Sequence, residues 1–357
     1  MLDTMPARHP VNATLELTLR CNLKCKMCMF RHCDEENAQL AAQELTPSQW
    51  ETMAQQLFDA GALNILITGG EPMLRKDFAE IYRSIYRLGF LVTIYTNATL
   101  VTEEIMETLQ ACPPHRIGIT LYGASNETYQ ALCGCPDGFD RAMAGARKLA
   151  KLPSALEFRT TLVQDNYQDM DKITQLVAQE FGLPVTHANT VFQSVRGGSM
   201  PVAQCRLTPE QTVDMTFTRL KRRLKEQLAE TRANVQLRLA DMHPECKAEK
   251  PTYTLLGCNG GMNNATITYD GKLLGCQLLG NFATDAVALG FAEAWEQWPY
   301  TVRLPQADPQ CTQCPHMSLC QICPGIRMAE CKNLADRPEY ICRITHQLLS
   351  HKGETLL

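Results

Sequence analysis

Short apolar or β-branched segments alternate with longer helical patterns from residue 14 to about residue 192. The predicted strands cover residues 14–19, 63–68, 91–95, 116–121, 156–163 and 185–191, and the predicted helices between them cover residues 47–60, 76–88, 102–110, 139–151 and 169–181. This alternation is typical of βα units in a parallel sheet. Six repeats predict an α/β fold, a partial (β/α)6 TIM-like barrel, in which the reacting groups gather at the carboxyl ends of the strands.

Three cysteines follow the first predicted strand. Cys21, Cys25 and Cys28 are separated by three and two residues. Thiolates are suitable ligands for iron–sulfur clusters, and three of them on a four-iron cluster leave one iron free to bind an outside molecule. A zinc site usually has two pairs of cysteines, but His32 and Cys33 could complete one here, so zinc stays open as an alternative.

The spacing of these cysteines resembles the signature of the radical S-adenosylmethionine (radical SAM) superfamily. The resemblance implies a [4Fe-4S] cluster whose fourth iron holds the methionine moiety of S-adenosyl-L-methionine (SAM). This cluster would pass one electron to SAM, which splits into methionine and a 5'-deoxyadenosyl radical that takes a hydrogen atom from the substrate. Met27 departs from the family pattern, which usually has an aromatic residue before the third cysteine. The adenine contact would therefore be a thioether.

Gly69, Gly70 and Glu71 come directly after the second predicted strand. They resemble the family segment that binds the amino group of SAM. Glycines allow a backbone to approach a ligand closely, and a carboxylate or carbonyl oxygen accepts hydrogen bonds from an ammonium group. We therefore expect these three residues to bind SAM.

The ends of the third to fifth predicted strands carry further polar residues. Thr96 and Asn97 resemble the ribose-contacting position of the family, although Asn97 could simply shape the turn after the strand. The resemblance also implies a polar SAM contact near the end of strand five, where Arg159 is our candidate and Thr161 the alternative. Ser125, after strand four, is explained equally well as a SAM contact or as a helix N-cap.

A second group of cysteines lies in the carboxyl-terminal part of the chain. An Asp270-Gly271 turn between two short apolar segments predicts a hairpin, which would bring Cys258 and Cys276 toward each other. The group resembles the SPASM domain, a small Cys-rich domain that follows the barrel in many radical SAM peptide-modifying enzymes and holds auxiliary [4Fe-4S] clusters. Its members are Cys258, Cys276, Cys311, Cys314, Cys320, Cys323 and Cys342.

The resemblance divides these cysteines between two auxiliary clusters. It assigns Cys258, Cys276 and Cys323 to auxiliary cluster I, and Cys311, Cys314, Cys320 and Cys342 to auxiliary cluster II. Two residues, instead of the usual three, separate Cys320 from Cys323, and cluster I has no obvious fourth ligand. Cys246, Cys331, a non-sulfur group or a substrate atom could complete it. A zinc knot of Cys311, Cys314, Cys320 and Cys323 is the structural alternative.

Three regions are expected along the chain: the radical SAM barrel over residues 1–192, a helical bridge over residues 193–255 and the SPASM domain over residues 256–357. The bridge would contain one long helix over residues 208–232. The sequence does not identify the catalytic residues. Asp241, Glu245 and Tyr269 are candidate bases by position only, and a surface loop would explain Asp241, His243 and Glu245 equally well.

Composition limits the possible partners and the compartment. A net charge of −4, from 34 basic and 38 acidic residues, gives no case for binding nucleic acid or an anionic membrane. No apolar run reaches the roughly 18 residues that span a bilayer, and the amino terminus lacks a secretion signal, so we expect a cytoplasmic protein. Seventeen cysteines in that reducing compartment favour metal ligation over disulfides.

The resemblance covers nearly the whole chain and implies an oxidoreductase-type radical SAM enzyme that acts on a peptide. We expect a thioether or similar crosslink in a ribosomally synthesised peptide, a flavodoxin- or ferredoxin-type electron donor and, if a leader peptide is bound, a separate leader-binding protein or the barrel surface. The enzymatic alternatives are a peptide epimerase with Cys205 or Cys331 as hydrogen donor, a sulfatase-maturase-like enzyme, and a dehydrogenase of small alcohols or sugars. The non-enzymatic alternatives are an iron–sulfur electron carrier and a zinc-stabilised binding module.

Overall fold

The structure is a computed structural model that describes residues 7–30, 32, 34–194, 196, 202–231, 255–317, 319–320 and 322–350. Six parallel strands form its first part, in the sheet order β6-β5-β4-β3-β2-β1. They are β1 (Asn12–Thr18), β2 (Asn64–Gly69), β3 (Leu91–Thr96), β4 (Arg116–Thr120), β5 (Ala155–Thr161) and β6 (Val185–Ala188). The predicted partial barrel, called the half-barrel below, is therefore confirmed, with β6 shorter than the segment predicted for it.

Helices connect the strands, as the sequence pattern predicts. They are α1 (Asp34–Gln43), α2 (Pro47–Asp59), α3 (Phe78–Arg87), α4 (Glu103–Ala111), α5 (Asn126–Cys133), α6 (Gly138–Leu149) and α7 (Met170–Phe181). Helix α1 is not among the predicted helices. Helix α5 starts where the Ser125 hydroxyl accepts a hydrogen bond from the Thr128 backbone N–H at 3.3 Å, so Ser125 has the capping role that the sequence allows it.

The sheet continues beyond β1 into the Cys-rich region. Strand β7 (Asn264–Ile267) pairs in parallel with β1, and β8 (Lys272–Leu274) and β9 (Ala283–Asp285) follow in antiparallel order. The predicted hairpin is present, and Gly271 at its turn has a φ of 82°, which favours glycine. One nine-stranded sheet therefore contains both the half-barrel and the start of the Cys-rich region.

The remaining helices follow β6 in the chain. They are α8 (Pro209–Thr231), α9 (Ala286–Leu289), α10 (Phe291–Thr301), α11 (Pro309–Thr312), α12 (Pro324–Cys331) and α13 (Glu339–Ser350). Helix α8 is the long helix expected over residues 208–232. Residues 232–254 lie outside the described part, so the proposed division into three regions remains a prediction. Within the described residues, no helix has the length and apolar character needed to cross a membrane.

The main core lies between the sheet and the helices packed on one of its faces. Leu15 and Leu17 of β1 and Ile67 of β2 are fully buried, as are Trp50 of α2 and Tyr82 of α3. Each such apolar side chain contributes about 1.5–3 kcal/mol by leaving water. Because side chains alternate across a strand, the residues between these apolar ones point to the opposite face, where the candidate site lies.

Candidate active site and thiol groups

The cysteine loop, residues 21–28, is fixed to the end of helix α5. The backbone N–H groups of Lys24 and Lys26 donate to the carbonyl oxygens of Cys133 and Leu132 at 2.8 and 3.0 Å. These carbonyls lie in the last turn of α5, where a helix leaves its acceptors unpaired. Cys25, between the two lysines, is 4% exposed. The loop is therefore held by a rigid element and not only by its own turns.

The three thiols of this loop lie close together. Burial raises the pKa of Cys21 well above its usual value, and Glu71, Cys25 and Cys28 raise it further. Backbone N–H groups donate to the sulfurs of Cys21 and Cys28, each at 3.4 Å. Within the part of the chain that is described, no three His, Cys, Asp or Glu side chains have the tight spacing that a single metal ion needs. Three neighbouring thiols, of which Cys21 and Cys28 accept backbone N–H bonds, fit the donor set of an iron–sulfur cluster.

The two glycines at the end of β2, Gly69 and Gly70, let the chain contact itself closely. The Gly70 N–H donates to the Thr18 carbonyl at 2.7 Å, and the Glu71 N–H donates to the Arg20 carbonyl at 2.9 Å. A Cβ on Gly70 would lie 2.2 Å from the Arg20 oxygen, and one on Gly69 would lie 2.1 Å from the Thr18 oxygen. The sequence suggests approach to a ligand as the reason for these glycines, whereas the structure shows approach to the backbone that leads into the cysteine loop.

The Glu71 side chain is fully buried and has three protein donors. Its Oε1 accepts from the Thr96 hydroxyl at 2.8 Å and from the Met73 N–H at 3.1 Å, and its Oε2 accepts from the Asn97 N–H at 2.8 Å. Burial raises the pKa of Glu71 to about 7, although these donors act against the rise. The carboxylate therefore joins the ends of β2 and β3. Binding of a SAM amino group by this residue stays a prediction.

Asn97 extends this network to the cysteine loop. Its Nδ2 donates to Asn22 Oδ1 at 3.0 Å and to the Cys21 sulfur at 3.7 Å. Its Oδ1 accepts from the backbone N–H and the hydroxyl of Thr99 at 2.9 and 2.7 Å. Asn97 thus shapes the turn after β3, which was the alternative to ribose binding, and it also orients a thiol.

The two candidates on β5 differ in position. The guanidinium of Arg159 lies 4.0 Å from the centroid of the Tyr95 ring, and its Nε donates to Glu157 Oε1 at 3.0 Å. Thr161 instead lines a cavity beside Cys25. The structure therefore brings Thr161, and not Arg159, to the described thiols of the cysteine loop.

This cavity, called the reaction cavity below, has a volume of about 280 Å³. It extends from the cysteine loop across the ends of β4, β5 and β6 to the Cys-rich region. Its described lining residues are all uncharged and mostly apolar. They are Cys25, Met27, Cys28, Met29, Tyr122, Thr161, Ala188, Thr190, Val191, Phe192, Gln193 and Leu278.

Tyr122 is a cavity residue that the sequence does not single out. Its N–H donates to the Tyr129 hydroxyl at 3.2 Å, and its carbonyl accepts from Asn166 Nδ2 at 2.9 Å. Burial raises the pKa of Tyr122, with a smaller contribution from the nearby thiols. The only sequence signal is its position just after a predicted strand, at the end of the sheet where reacting groups gather.

Cys258, Cys276 and Cys323 lie together. Burial raises the pKa of Cys276 to about 11, and Cys323 and Cys258 contribute to the rise. The Gly260 N–H donates to the Cys258 sulfur at 3.4 Å, and the Ile326 N–H donates to the Cys323 sulfur at 3.5 Å. Cys258 and Cys276 border a cavity of about 710 Å³, called the polar cavity below, that is also lined by Thr14, Thr93 and Gln277.

The other four cysteines border one small pocket of about 70 Å³, and they share it with His316 and His346. These four are Cys311, Cys314, Cys320 and Cys342. Cys323 is not among the described lining residues of this pocket and lies near Cys276 instead. The arrangement therefore matches the division into two auxiliary sets better than the zinc knot, which needs Cys323 beside Cys320.

The remaining candidates lie away from the reaction cavity or outside the described residues. The Cys205 sulfur donates to the Val202 carbonyl at 3.4 Å, and the Cys331 sulfur donates to the Asp336 carbonyl at 3.6 Å. The Tyr269 hydroxyl is 3.3 Å from Gln43 Oε1. Neither the two thiols nor Tyr269 line the reaction cavity. The candidates outside the described part are Cys33, Asp241, His243, Glu245 and Cys246.

Comparison with known proteins adds a family and several relatives. Residues 15–177 match the family described as the radical SAM superfamily. The AdoMet-dependent heme synthase of Methanosarcina barkeri is 27% identical over 322 residues, which are 86% of this chain and 89% of the relative. The PqqA peptide cyclase of Rhizobium meliloti is 29% identical over 174 residues, 48% of this chain and 45% of the relative. Streptococcus suis SuiB bound to precursor peptide SuiA has the same fold, with a TM-score of 0.67 and 17% identity over 94% of this chain and 76% of SuiB.

Proposed function

This chain is an enzyme of the radical SAM superfamily, and on that premise we propose that Cys21, Cys25 and Cys28 hold the [4Fe-4S] cluster that binds SAM. When bound, this cluster and SAM supply the 5'-deoxyadenosyl radical that takes a hydrogen atom from the substrate. The protein holds the three thiols in place through α5, through the close contact at Gly70 and through Asn97. The SAM contacts suggested by the sequence remain proposals, and on β5 Thr161 is better placed than Arg159 because it lines the cavity beside Cys25. The other candidates are Gly69, Gly70, Glu71, Thr96 and Asn97.

The reaction cavity carries the proposal for the substrate. It begins at Cys25 and Cys28, where the radical would form, and no described lining side chain is charged. An ionised group placed there would lose its hydration without gaining a counter-charge, which costs several kcal/mol. The cavity therefore favours an uncharged, largely apolar reacting group. We propose that a peptide side chain enters it and becomes crosslinked, as a thioether or a similar bond.

A second candidate is a tetrapyrrole substrate, because heme synthases match this chain over most of its length. Tetrapyrroles of the heme type carry several carboxylates, which require cationic partners. Lys26, near the cavity, is already paired with Asp165 at 2.6 Å. The charge pattern thus supports the peptide, while the extent of the sequence similarity supports the tetrapyrrole.

The two further thiol groups fit auxiliary clusters. We assign Cys258, Cys276 and Cys323 to one, and Cys311, Cys314, Cys320 and Cys342 to the other. Bond formation after loss of a hydrogen atom leaves one electron to remove, and a cluster close to the cavity is a suitable acceptor. Leu278 of the reaction cavity follows Cys276 by two residues, which supports an acceptor close to the substrate. A flavodoxin- or ferredoxin-type donor, a leader-binding protein and a cytoplasmic location belong to the same proposal.

Anaerobic assays test the chemistry and then the substrate. Enzyme reduced in the presence of SAM should form 5'-deoxyadenosine, Cys25→Ala should abolish it, and the matched variant Cys112→Ala, in a half-buried thiol that we assign to no cluster, should preserve it. Formation by Cys25→Ala at the wild-type rate would exclude the proposed site. A peptide with a cysteine beside aliphatic residues should lose two hydrogens in mass spectrometry. Formation of heme from a porphyrin precursor, without any change in the peptide, would favour the tetrapyrrole instead.

A further inference from the structure

One buried ion pair has chain neighbours in the linings of both the reaction cavity and the polar cavity. Glu16, in the middle of β1, is 0% exposed. The two terminal nitrogens of Arg196 donate to its two carboxylate oxygens, each at 2.6 Å. Gln277 Nε2 donates to Glu16 Oε1 at 2.9 Å. These three residues, called the partition below, come from β1, from the segment after β6 and from the Cys-rich region.

The neighbours of Arg196 indicate that it fills space as well as pairing with a charge. Its guanidinium lies 4.8 Å from the centroid of the Phe30 ring, just beyond the cysteine loop. On its other side, a Cβ on Gly280 would lie 2.8 Å from Arg196 Cγ. The side chain therefore fits tightly between the cysteine loop and the Cys-rich region.

The chain neighbours of the partition line different cavities. Thr14, on the same face of β1 as Glu16, and Gln277 itself line the polar cavity. Met29, next to Phe30, and Leu278, next to Gln277, line the reaction cavity. The partition is therefore adjacent in the chain to lining residues of both cavities.

We propose that the partition, formed by Glu16, Arg196 and Gln277, closes the reaction cavity off from the polar cavity. The inference rests on the proposed radical SAM function, because that function is the reason why the reaction cavity would need to be closed. A radical intermediate must be kept away from solvent and from small oxidants, and a closed cavity prevents such side reactions. The three residues are positioning residues, since they act through the shape of the cavity.

Stability alone is a weak explanation for this ion pair. A buried ion pair is often no better for stability than apolar side chains of similar volume. Removing only one of its two partners is costly, because the other charge stays buried without a counter-charge. If the partition acts by filling space, it requires the volume of these side chains, whereas a purely electrostatic role requires their charge. Substitutions that separate volume from charge therefore decide between them.

Two double variants make this separation. Glu16→Ala with Arg196→Ala removes the charges and the volume, and Glu16→Leu with Arg196→Met removes the charges but keeps most of the volume. Anaerobically purified enzyme is exposed to air-saturated buffer. Loss of the SAM-responsive electron paramagnetic resonance signal of the reduced enzyme reports the cluster at Cys21, Cys25 and Cys28. Thermal unfolding and far-ultraviolet circular dichroism show which variants are folded.

The double variant Glu16→Ala with Arg196→Ala, called the alanine pair below, should lose this signal roughly tenfold faster than the wild type. This factor corresponds to a barrier to oxidant entry that is about 1.4 kcal/mol lower. The leucine–methionine pair should lose it at close to the wild-type rate. A wild-type rate in the folded alanine pair would overturn the proposal, as would equal acceleration in both pairs, which would indicate a role for the charge itself.

A milder variant covers the case in which the alanine pair does not fold. Gln277→Ala keeps the ion pair and removes only the amide side chain from the partition, so a smaller increase in the rate of signal loss is expected. Signal loss at the wild-type rate would overturn the proposal. The air-exposure readout needs no substrate. A wild-type enzyme that binds SAM but forms no 5'-deoxyadenosine would contradict the proposed function and leave the test of the partition intact.

Discussion

Gly70→Ala tests how the site is built. Gly70 packs against the backbone just before Cys21, and its new Cβ would lie 2.2 Å from the Arg20 carbonyl oxygen and 2.6 Å from the Leu19 oxygen. Real Cβ atoms essentially never come within 3.0 Å of such an atom. The end of β2 must therefore move away from the end of β1. This movement breaks the hydrogen bonds from Gly70 to Thr18 at 2.7 Å and from Glu71 to Arg20 at 2.9 Å.

The expected cost follows from these contacts. Inserting a group into a packed site costs about 1–3 kcal/mol. Each lost hydrogen bond adds about 0.5–1.5 kcal/mol. We therefore expect Gly70→Ala to lower the free energy of unfolding by about 2–6 kcal/mol, and to lower the iron content, because Cys21 follows the displaced backbone.

Gly61→Ala is the matched control. Gly61 has a φ of 87°, and apart from Gly61 itself and its two chain neighbours no described atom lies within 4 Å of the place that the alanine methyl group would take, so only the backbone conformation is penalised. This costs about 1–2 kcal/mol and should leave the iron content unchanged. Denaturant unfolding and iron analysis of anaerobically purified protein measure both effects. If Gly70→Ala raised only the KM for SAM, with normal stability and iron, the glycine would serve ligand approach and our reasoning would be refuted.

Two further predictions concern Glu71 and the second thiol group. The pKa of Glu71 is raised to about 7 in the folded protein, so its contribution to stability is complete below its ordinary pKa of 4.5 and is lost as the pH rises through 7. Between pH 6 and pH 8, the unfolding free energy of the wild type should therefore decrease by about 1–2 kcal/mol because of Glu71, and Glu71→Gln should lack this decrease. An unchanged pH dependence of the variant in denaturant titrations would contradict this. Cys323→Ala should lower the iron content by up to about four atoms, the content of one [4Fe-4S] cluster, whereas Cys331→Ala should not. Iron loss in Cys331→Ala alone would reverse the assignment.

Local patterns in the sequence were sufficient for the half-barrel and for the positions of the thiols. The strands are visible because β-branched and apolar residues cluster between helical patterns, and the cap at Ser125 depends on residues three positions apart. The partners of Gly70 and Glu16 could not be predicted, because Thr18 and Arg196 lie 52 and 180 positions away in the chain. The sequence identifies glycine and glutamate at these positions, but only the fold shows what they contact.

The continuous sheet also changes the expected relation between the thiol groups. Strand β1 pairs with β2 on one edge and with β7 on the other, and Asn12 lies opposite Asn64 and Asn264. The amides of these three residues bond to one another across the strands, each at 2.9 Å. Cys21 comes soon after β1 ends, and Cys276 follows β8 by two residues. Because a paired sheet deforms little, the separation of these two thiols is set by strand pairing.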